Sequence, residues 1–328
     1  MAVLFSGRAT FGQTEYHPIW AGCEMRVVYR GDFDGTVCAA MLLELDMCDE
    51  LLQVHPQDVQ DGKIEITDQD ILCNVPYHPD CHMWFDHHTS ELNRVDFPTT
   101  YEGLTRYAPS AASLVYEYFK DDFPILSKFE DLVAEVDLYD SADITREQIL
   151  HPDGARLMAF LLDPRTGLGL RHDFAISNYA WSTQIPELLT MHTVDEILEL
   201  PDSLERIRKF MLGEEESRIF YAEHSYLDGN VIVTDVRGLQ TPIGNRFIVY
   251  LIPKLETGNI SVRIADAKKS EFSSITLGRS LFVRTSEIDL GTLCQKFGGG
   301  GHAAAGACQV SVEDGDRVLA EIIAACKE

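Results

Sequence analysis

The sequence predicts an α/β protein in two parts, a mostly parallel, doubly wound N-terminal domain and a second, smaller α/β domain. Three observations carry this. Short β-rich runs alternate with helical patterns through the first half of the chain, the order that builds a parallel sheet with helices on both faces. The 328 residues, 45% of them hydrophobic, have room for two cores at roughly 100–200 residues per domain. The acid is also uneven: residues 229–328 hold eleven basic and eleven acidic side chains, so the whole net charge of -26 falls on the first 228.

Taken in order, residues 1–24 show no clear periodicity and are assigned no function. Residues 26–29, 51–55, 71–75 and 82–85 read as strands, and residues 36–47, 109–119 and 125–139 as helices. A further helix is expected over 156–162. After it, Asp163-Pro164-Arg165-Thr166-Gly167-Leu168-Gly169 is a turn by composition, with Pro fixing φ and Gly freeing it, and is read as a structural connector. Over 201–226, Leu204, Ile207, Phe210, Met211, Ile219 and Phe220 recur at mostly helical spacing before the turn signal Asp228-Gly229-Asn230. That stretch reads as a linker helix, its acidic triplet Glu214 to Glu216 forming a solvated face. The expected division is a catalytic domain over 25–200, a linker helix over 201–228 and a substrate-binding domain over 229–328.

Composition excludes several functions. With 27 Lys plus Arg against 53 Asp plus Glu, the chain opposes the phosphate attraction on which binders of long duplex depend. The eight cysteines form no C-x-x-C pair and sit among apolar residues like buried thiols, which fits a reducing, cytoplasmic compartment. No apolar run approaches the roughly 18 residues of a membrane span, and residues 1–9 are too short an apolar run for a secretory signal. No stripe of interleaved basic and aromatic residues suits single-stranded nucleic acid, and Trp84 reads as core. A homodimer is compatible with the sequence.

In a doubly wound sheet, ligands bind at the carboxyl ends of the strands. The first strand is followed by Arg30-Gly31-Asp32-Phe33-Asp34-Gly35, the third by Asn74-Val75-Pro76-Tyr77-His78, and the fourth by Asp86-His87-His88. Asp32 and Asp34 alone fit a capped helix start equally well. Asp86-His87-His88 favours a metal, because a carboxylate beside two imidazoles at a buried strand end is costly to desolvate without a cation. Carboxylate and imidazole together suit Mn²⁺, Zn²⁺ or Fe²⁺ better than Ca²⁺.

Asp32-Phe33-Asp34-Gly35, followed about fifty residues later by Phe85-Asp86-His87-His88-Thr89-Ser90-Glu91, resembles the DHH phosphoesterases. Phe297-Gly298-Gly299-Gly300-Gly301-His302, running on to Ala305-Gly306, resembles the glycine-rich signature of the DHH-associated C-terminal domain. The two signals lie in the expected order and cover the chain from Met25 to its end. The resemblance implies a metal-dependent phosphoesterase related to RecJ-like exonucleases, oligoribonucleases, nucleotide phosphatases and cyclic-dinucleotide phosphodiesterases. It implies metal ligands at Asp32, Asp34 and His87, with Asp86 completing the cluster and His88 facing the substrate phosphate. A further ligand follows a helix, where the spacing from Leu132 favours Asp140 over Asp137. Arg263, on the strand Asn259-Ile260-Ser261-Val262-Arg263, occupies the family position for substrate phosphate, to which a forked, permanent cation is suited. Gly299, Gly300 and Gly301, read as preceding a helix, would offer backbone N–H groups to phosphate with His302 beside them.

Two positions depart from the family pattern. Arg30 stands where a His usually opens the motif and cannot ligate a metal. Asn74 is the closest match to a ligand Asp; Asp68 is the alternative, with Asp70 nearby, but both precede the apolar run 71–73. Losing an imidazole and an acid while gaining a cation favours one tightly held ion over two. The expected cofactor is Mn²⁺, with Mg²⁺ or another divalent transition metal as alternatives. The expected activity is hydrolysis of short 5′-phosphorylated oligonucleotides or linear dinucleotides to mononucleotides, with Arg30, Asp86 and His88 as catalytic groups. Exopolyphosphatase or nucleotide bisphosphate phosphatase activity is the enzymatic alternative, and a nucleotide-binding module without turnover is the alternative of another class.

Overall fold

The computed structural model describes residues 25–88, 100–267 and 271–327, apart from the side chain of His302. The expectations placed on residues 1–24 and 89–91 concern residues outside those described.

The strands of the first sheet are short, and the three central ones, at 26–30, 70–73 and 83–86, are buried on both faces, as parallel strands between two helical layers are. β1 (Arg26–Arg30) leads into α1 (Phe33–Glu44), β2 (Glu50–Val54), α2 (Pro56–Gln60), β3 (Asp70–Cys73), β4 (Met83–Asp86) and β5 (Glu102–Thr105). The strands are all parallel in the order β2-β1-β3-β4-β5. In one cross-strand row Val28, Leu72 and Trp84 point towards Val59 of α2 and towards Ile64, Ile66, Tyr77 and Tyr101. In the next, Tyr29, Cys73 and Phe85 point into the larger core shared with α1. Trp84 is thus core, its indole N–H donating to the Val75 carbonyl at 2.9 Å. The chain steps from β1 outwards to β2 and returns past β1 to β3. The carboxyl ends of β1 and β3 therefore flank a topological switch point, the crevice where such sheets bind ligands.

Helices α3 (Ala111–Phe119), α4 (Glu130–Asp140), α5 (Arg146–Leu150) and α6 (Gly154–Leu162) follow, then the shorter α7 (Asn178–Ser182), α8 (Ile185–Met191) and α9 (Val194–Leu198). The helix expected over 125–139 is divided, because Pro124 opens a 3₁₀ segment to Phe129 before α4 begins. The linker helix is α10 (Pro201–His224). It stops short of the expected end, because Ser225–Asp228 forms β6, the first strand of the second sheet. Residues 225–228 therefore belong to the second sheet and not to the linker.

β7 (Val231–Asp235), β8 (Ile260–Ala267), β9 (Phe272–Arg279), α11 (Leu290–Gln295), β10 (Gly300–His302), β11 (Ala305–Ser311) and α12 (Gly315–Cys326) complete the chain. The sheet order is β10-β11-β9-β8-β7-β6, antiparallel except for β7 with β8. Val231, Val233, Val262, Ile264 and Ile275 bury one face against α11 and α12. The long connection after β7 packs on the first domain instead: Ile243, Phe247, Tyr250 and Leu255 join the core that holds Phe160 and Phe210. It is pinned by α10, where Glu214 accepts from the Asn245 backbone N–H at 2.5 Å and from its side-chain amide at 2.6 Å. Glu214 is therefore a clamp and not part of a solvated face. A helical period shows which residues share a face, but it cannot reveal a strand connection folding back over that face. No disulfide links the described cysteines, which are buried except for partly exposed Cys81.

Candidate functional site

Asp34 reaches the switch point because β1 ends at Arg30 and the chain turns at once into α1, capped by Asp32. Asp34 is buried, and its two carboxylate oxygens accept the Ala112 and Ala111 backbone N–H groups at 2.7 and 2.9 Å. Those donors open α3, so a helix amino terminus orients the carboxylate. Burial pushes the Asp34 carboxyl up to about 7, against the opposing influence of His87; the charges of Asp140 and Asp32 push the same way as burial. A dehydrated carboxylate beside a second one calls for a cation.

His87 shows where that cation would sit. Its Nδ1 lies 3.1 Å from the Ala108 carbonyl. A carbonyl can only accept, so Nδ1 carries the proton and Nε2 presents a lone pair. Nε2 is 3.1 Å from Asp140 Oδ2 and 3.6 Å from Asp34 Oδ2, yet buried without a hydrogen bond. Ligand atoms of Asp34, His87 and Asp140 all fall within 4.8 Å of one another, and no other such triad occurs among the described residues. One anchored carboxylate, a second beside it and an imidazole whose other nitrogen is fixed by a carbonyl fit a divalent transition metal. Asp137, one turn earlier on α4, turns instead to Ser110, whose hydroxyl donates to it at 2.5 Å.

The other half of the expected cluster is organised differently. Asp32 Oδ2 takes the Arg30 guanidinium at 2.8 Å, and Oδ1 takes both the Asn74 amide and the Gly35 N–H at 3.1 Å. Both oxygens of Asp32 are thus occupied by donors, outside the triad. Asn74 sits at φ 57°, in the left-handed region that Asn tolerates, and its buried Oδ1 has no partner. Asp68 and Asp70 do not supply the missing acid, because they lie at the amino end of β3. There Asp70 takes a two-pronged contact from Arg26 at 2.6 and 2.9 Å. Asp86 Oδ1 is engaged by His88 Nδ1 at 2.8 Å. Although desolvation disfavours the charge on His88, the Asp86 bond prevails and raises the imidazole to about 9, so a cation stands there at neutral pH.

Arg263 and the glycine run, far apart in sequence, meet in the second sheet. Strand register aligns Arg263, Thr276, Ala307 and Gly300 in one row, with Ser261, Gly278 and Ala305 in the row beside it. These residues alternate with the buried ones on β8 and β9, leaving a face of small side chains from which Arg263 projects. No helix follows the glycines; they follow α11 and form edge strand β10. Close backbone approach accounts for two of them: a Cβ on Gly299 would come within 2.0 Å of the Ala307 carbonyl oxygen, and Gly301 holds φ 145°. The side chain of His302 lies outside the description.

Sequence reasoning missed Asp163 and Arg165. Asp163 is buried, accepts the Tyr139 hydroxyl at 3.0 Å, and takes Arg165 Nε and an η nitrogen at 2.6 and 2.8 Å. Tyr139 immediately precedes Asp140, so the connector is tied to the triad. The only sequence signal was an Asp-x-Arg spacing inside a turn.

The chain is similar to the pGpG-specific phosphodiesterase PggH from Vibrio cholerae, with 37% sequence identity and a TM-score of 0.73 over 92% of this chain and 98% of that one. RecJ from Thermus thermophilus, in complex with Mn²⁺, shares the fold with a TM-score of 0.50 and 14% identity, over 92% of this chain and 52% of RecJ. No family model and no curated protein matches the chain. No helix among the described residues is long and apolar enough to cross a membrane.

Proposed function

The chain belongs to the DHH phosphoesterase family, and from that premise we propose that it is a metal-dependent phosphodiesterase cleaving linear 5′-phosphorylated dinucleotides to mononucleotides. The carrying observation is the buried, unpartnered Nε2 of His87 between Asp34 and Asp140. The likeness to PggH along nearly the whole of both chains supports the dinucleotide.

Asp34, His87 and Asp140 would hold one ion, for which Mn²⁺ suits the donor set. When bound, it would lower the pKa of a water towards neutrality and polarise a phosphoryl oxygen. The chain supplies the rest. Ala111 and Ala112 fix Asp34, and the Ala108 carbonyl fixes the His87 tautomer. Protonated His88, held by Asp86, faces charge developing on the phosphate. Arg30, committed to Asp32, replaces a second ion with a fixed positive charge. Arg263, on the face of the second sheet turned away from α11 and α12, would take the terminal phosphate.

A substrate panel with Mn²⁺ tests this reading. Mononucleotide should accumulate from a 5′-phosphorylated dinucleotide, excess chelator should abolish it, and Mn²⁺ should restore more activity than Ca²⁺. Full activity in chelator, or release of phosphate from polyphosphate in preference to dinucleotide cleavage, contradicts it.

A further inference from the structure

The proposed mechanism leaves two arginines beside the triad unused, Arg165 and Arg246. Arg246 lies on the connection after β7, between two residues that fix its position. Asn245 is buried, holds Glu214 through two donors, and accepts the Phe247 N–H on its own side-chain oxygen at 3.0 Å. Phe247 is buried against Phe160. One residue further back, Gly244 N–H donates to Thr166 of the Asp163 turn at 3.0 Å. The backbone of Arg246 is thus bound to α10 on one side and to the first domain on the other.

Its side chain has no such commitment. The guanidinium is 4.5 Å from the Phe247 ring centre, and among the described residues no carboxylate or carbonyl pairs with it. Its side chain is solvent-exposed, yet the protein packed around it and the neighbouring Arg165 disfavour its charge, while the carboxylates of Asp163 and Asp140 favour it. Arg165 has used its fork on Asp163 and lies within electrostatic reach of Asp32. The Gly244–Thr166 bond brings the Arg246 segment to the Asp163 turn, so two guanidiniums bear on the single carboxylate of Asp163, which Arg165 already occupies. Like charges are held together at a cost unless an anion bridges them, and a forked guanidinium is suited to phosphate oxygens.

We propose that Arg246, backed by Arg165, contacts the non-bridging oxygens of the scissile phosphate, opposite the Asp34–His87–Asp140 triad. The assignment rests on the phosphodiesterase reading and adds to it the group that completes the charge around the reacting phosphorus. Arg165 lies on the turn after α6 and Arg246 on the connection after β7, and the Gly244–Thr166 hydrogen bond holds these two segments together.

The test uses the full chain loaded with Mn²⁺, with inorganic phosphate as the binding probe and bis(4-nitrophenyl) phosphate as a diester too small to span the cleft. Arg246→Ala should weaken phosphate binding by about tenfold or more, the loss expected for one charge-assisted contact. It should lower kcat/KM on the artificial diester by a similar factor, with Arg246→Lys intermediate. Bound Mn²⁺ and melting temperature should stay at wild-type values, which a merely structural role would not allow. The inference is overturned if wild-type protein binds no phosphate, or if Arg246→Ala binds phosphate or cleaves the artificial diester within about twofold of wild type. Failure of the wild-type chain to cleave dinucleotides would instead defeat the underlying reading, leaving the phosphate titration to judge Arg246 by itself.

Discussion

On the proposed reading, Arg30 and Asn74 decide how many ions the site holds. Both spend their donors on Asp32, which is thereby satisfied without a metal. Replacing them as Arg30→His with Asn74→Asp would turn two donors into two ligands. The left-handed backbone at Asn74 tolerates Asp as well as Asn, so the change adds no backbone strain. Metal analysis of the double variant should show a second tightly bound ion, where the natural chain shows one. Two tight ions in the natural chain would contradict the role given to Arg30. This half of the site was legible in sequence, because Arg30, Asp32, Asp34, Asn74 and Asp86–His88 each directly follow a strand of a doubly wound sheet. What the sequence could not show is which oxygen each donor takes, and hence that Asp32 and Asp86 are occupied by Arg30 and His88 and stand outside the triad.

At the scale of elements, α10 carries a consequence that its charge pattern hid. Burial pushes the Glu214 carboxyl up to about 7, although the Asn245 bonds and Arg218 favour its ionised form. A Glu in the unfolded chain titrates near 4.3, so between that pH and about 7 the folded state binds more protons than the unfolded one. This group's contribution to stability therefore falls as pH rises through that window. Glu214→Gln should flatten the window: in urea unfolding the two proteins should differ least on its acid side, and the natural chain should fall below the variant as pH rises through about 7. A difference constant from pH 5 to 8 would show that Glu214 keeps an ordinary carboxyl pKa. The first four strands, the helices α1, α3, α6 and α10 and the start of β8 were read near their observed bounds because each has a clear period, whereas short elements such as α2 and β5 went unread. The Glu214 clamp, the 3₁₀ break at Pro124 and the glycines of β10 were not, because each depends on a partner distant in sequence or on one residue's backbone.

At the scale of the whole molecule, the triad stands at the switch point of the first sheet and Arg263 on the face of the second turned away from α11 and α12, with the Ile243–Leu255 connection packed between the domains. Motifs near each end of the chain announced the two halves. Arg165 and Arg246 stayed silent, because only the packing of that connection brings them together. A cleft with two phosphate-binding ends should act as a ruler, favouring a substrate whose phosphates are one nucleotide apart. The most direct test is kcat/KM for 5′-phosphorylated oligonucleotides from the dinucleotide upward, measured with Mn²⁺ for the natural chain and for Arg263→Ala. The account predicts the highest value for the dinucleotide, a steep fall with length, and loss of that preference in Arg263→Ala through a KM raised about tenfold or more. A natural chain indifferent to length, or a dinucleotide preference that survives Arg263→Ala intact, would contradict it.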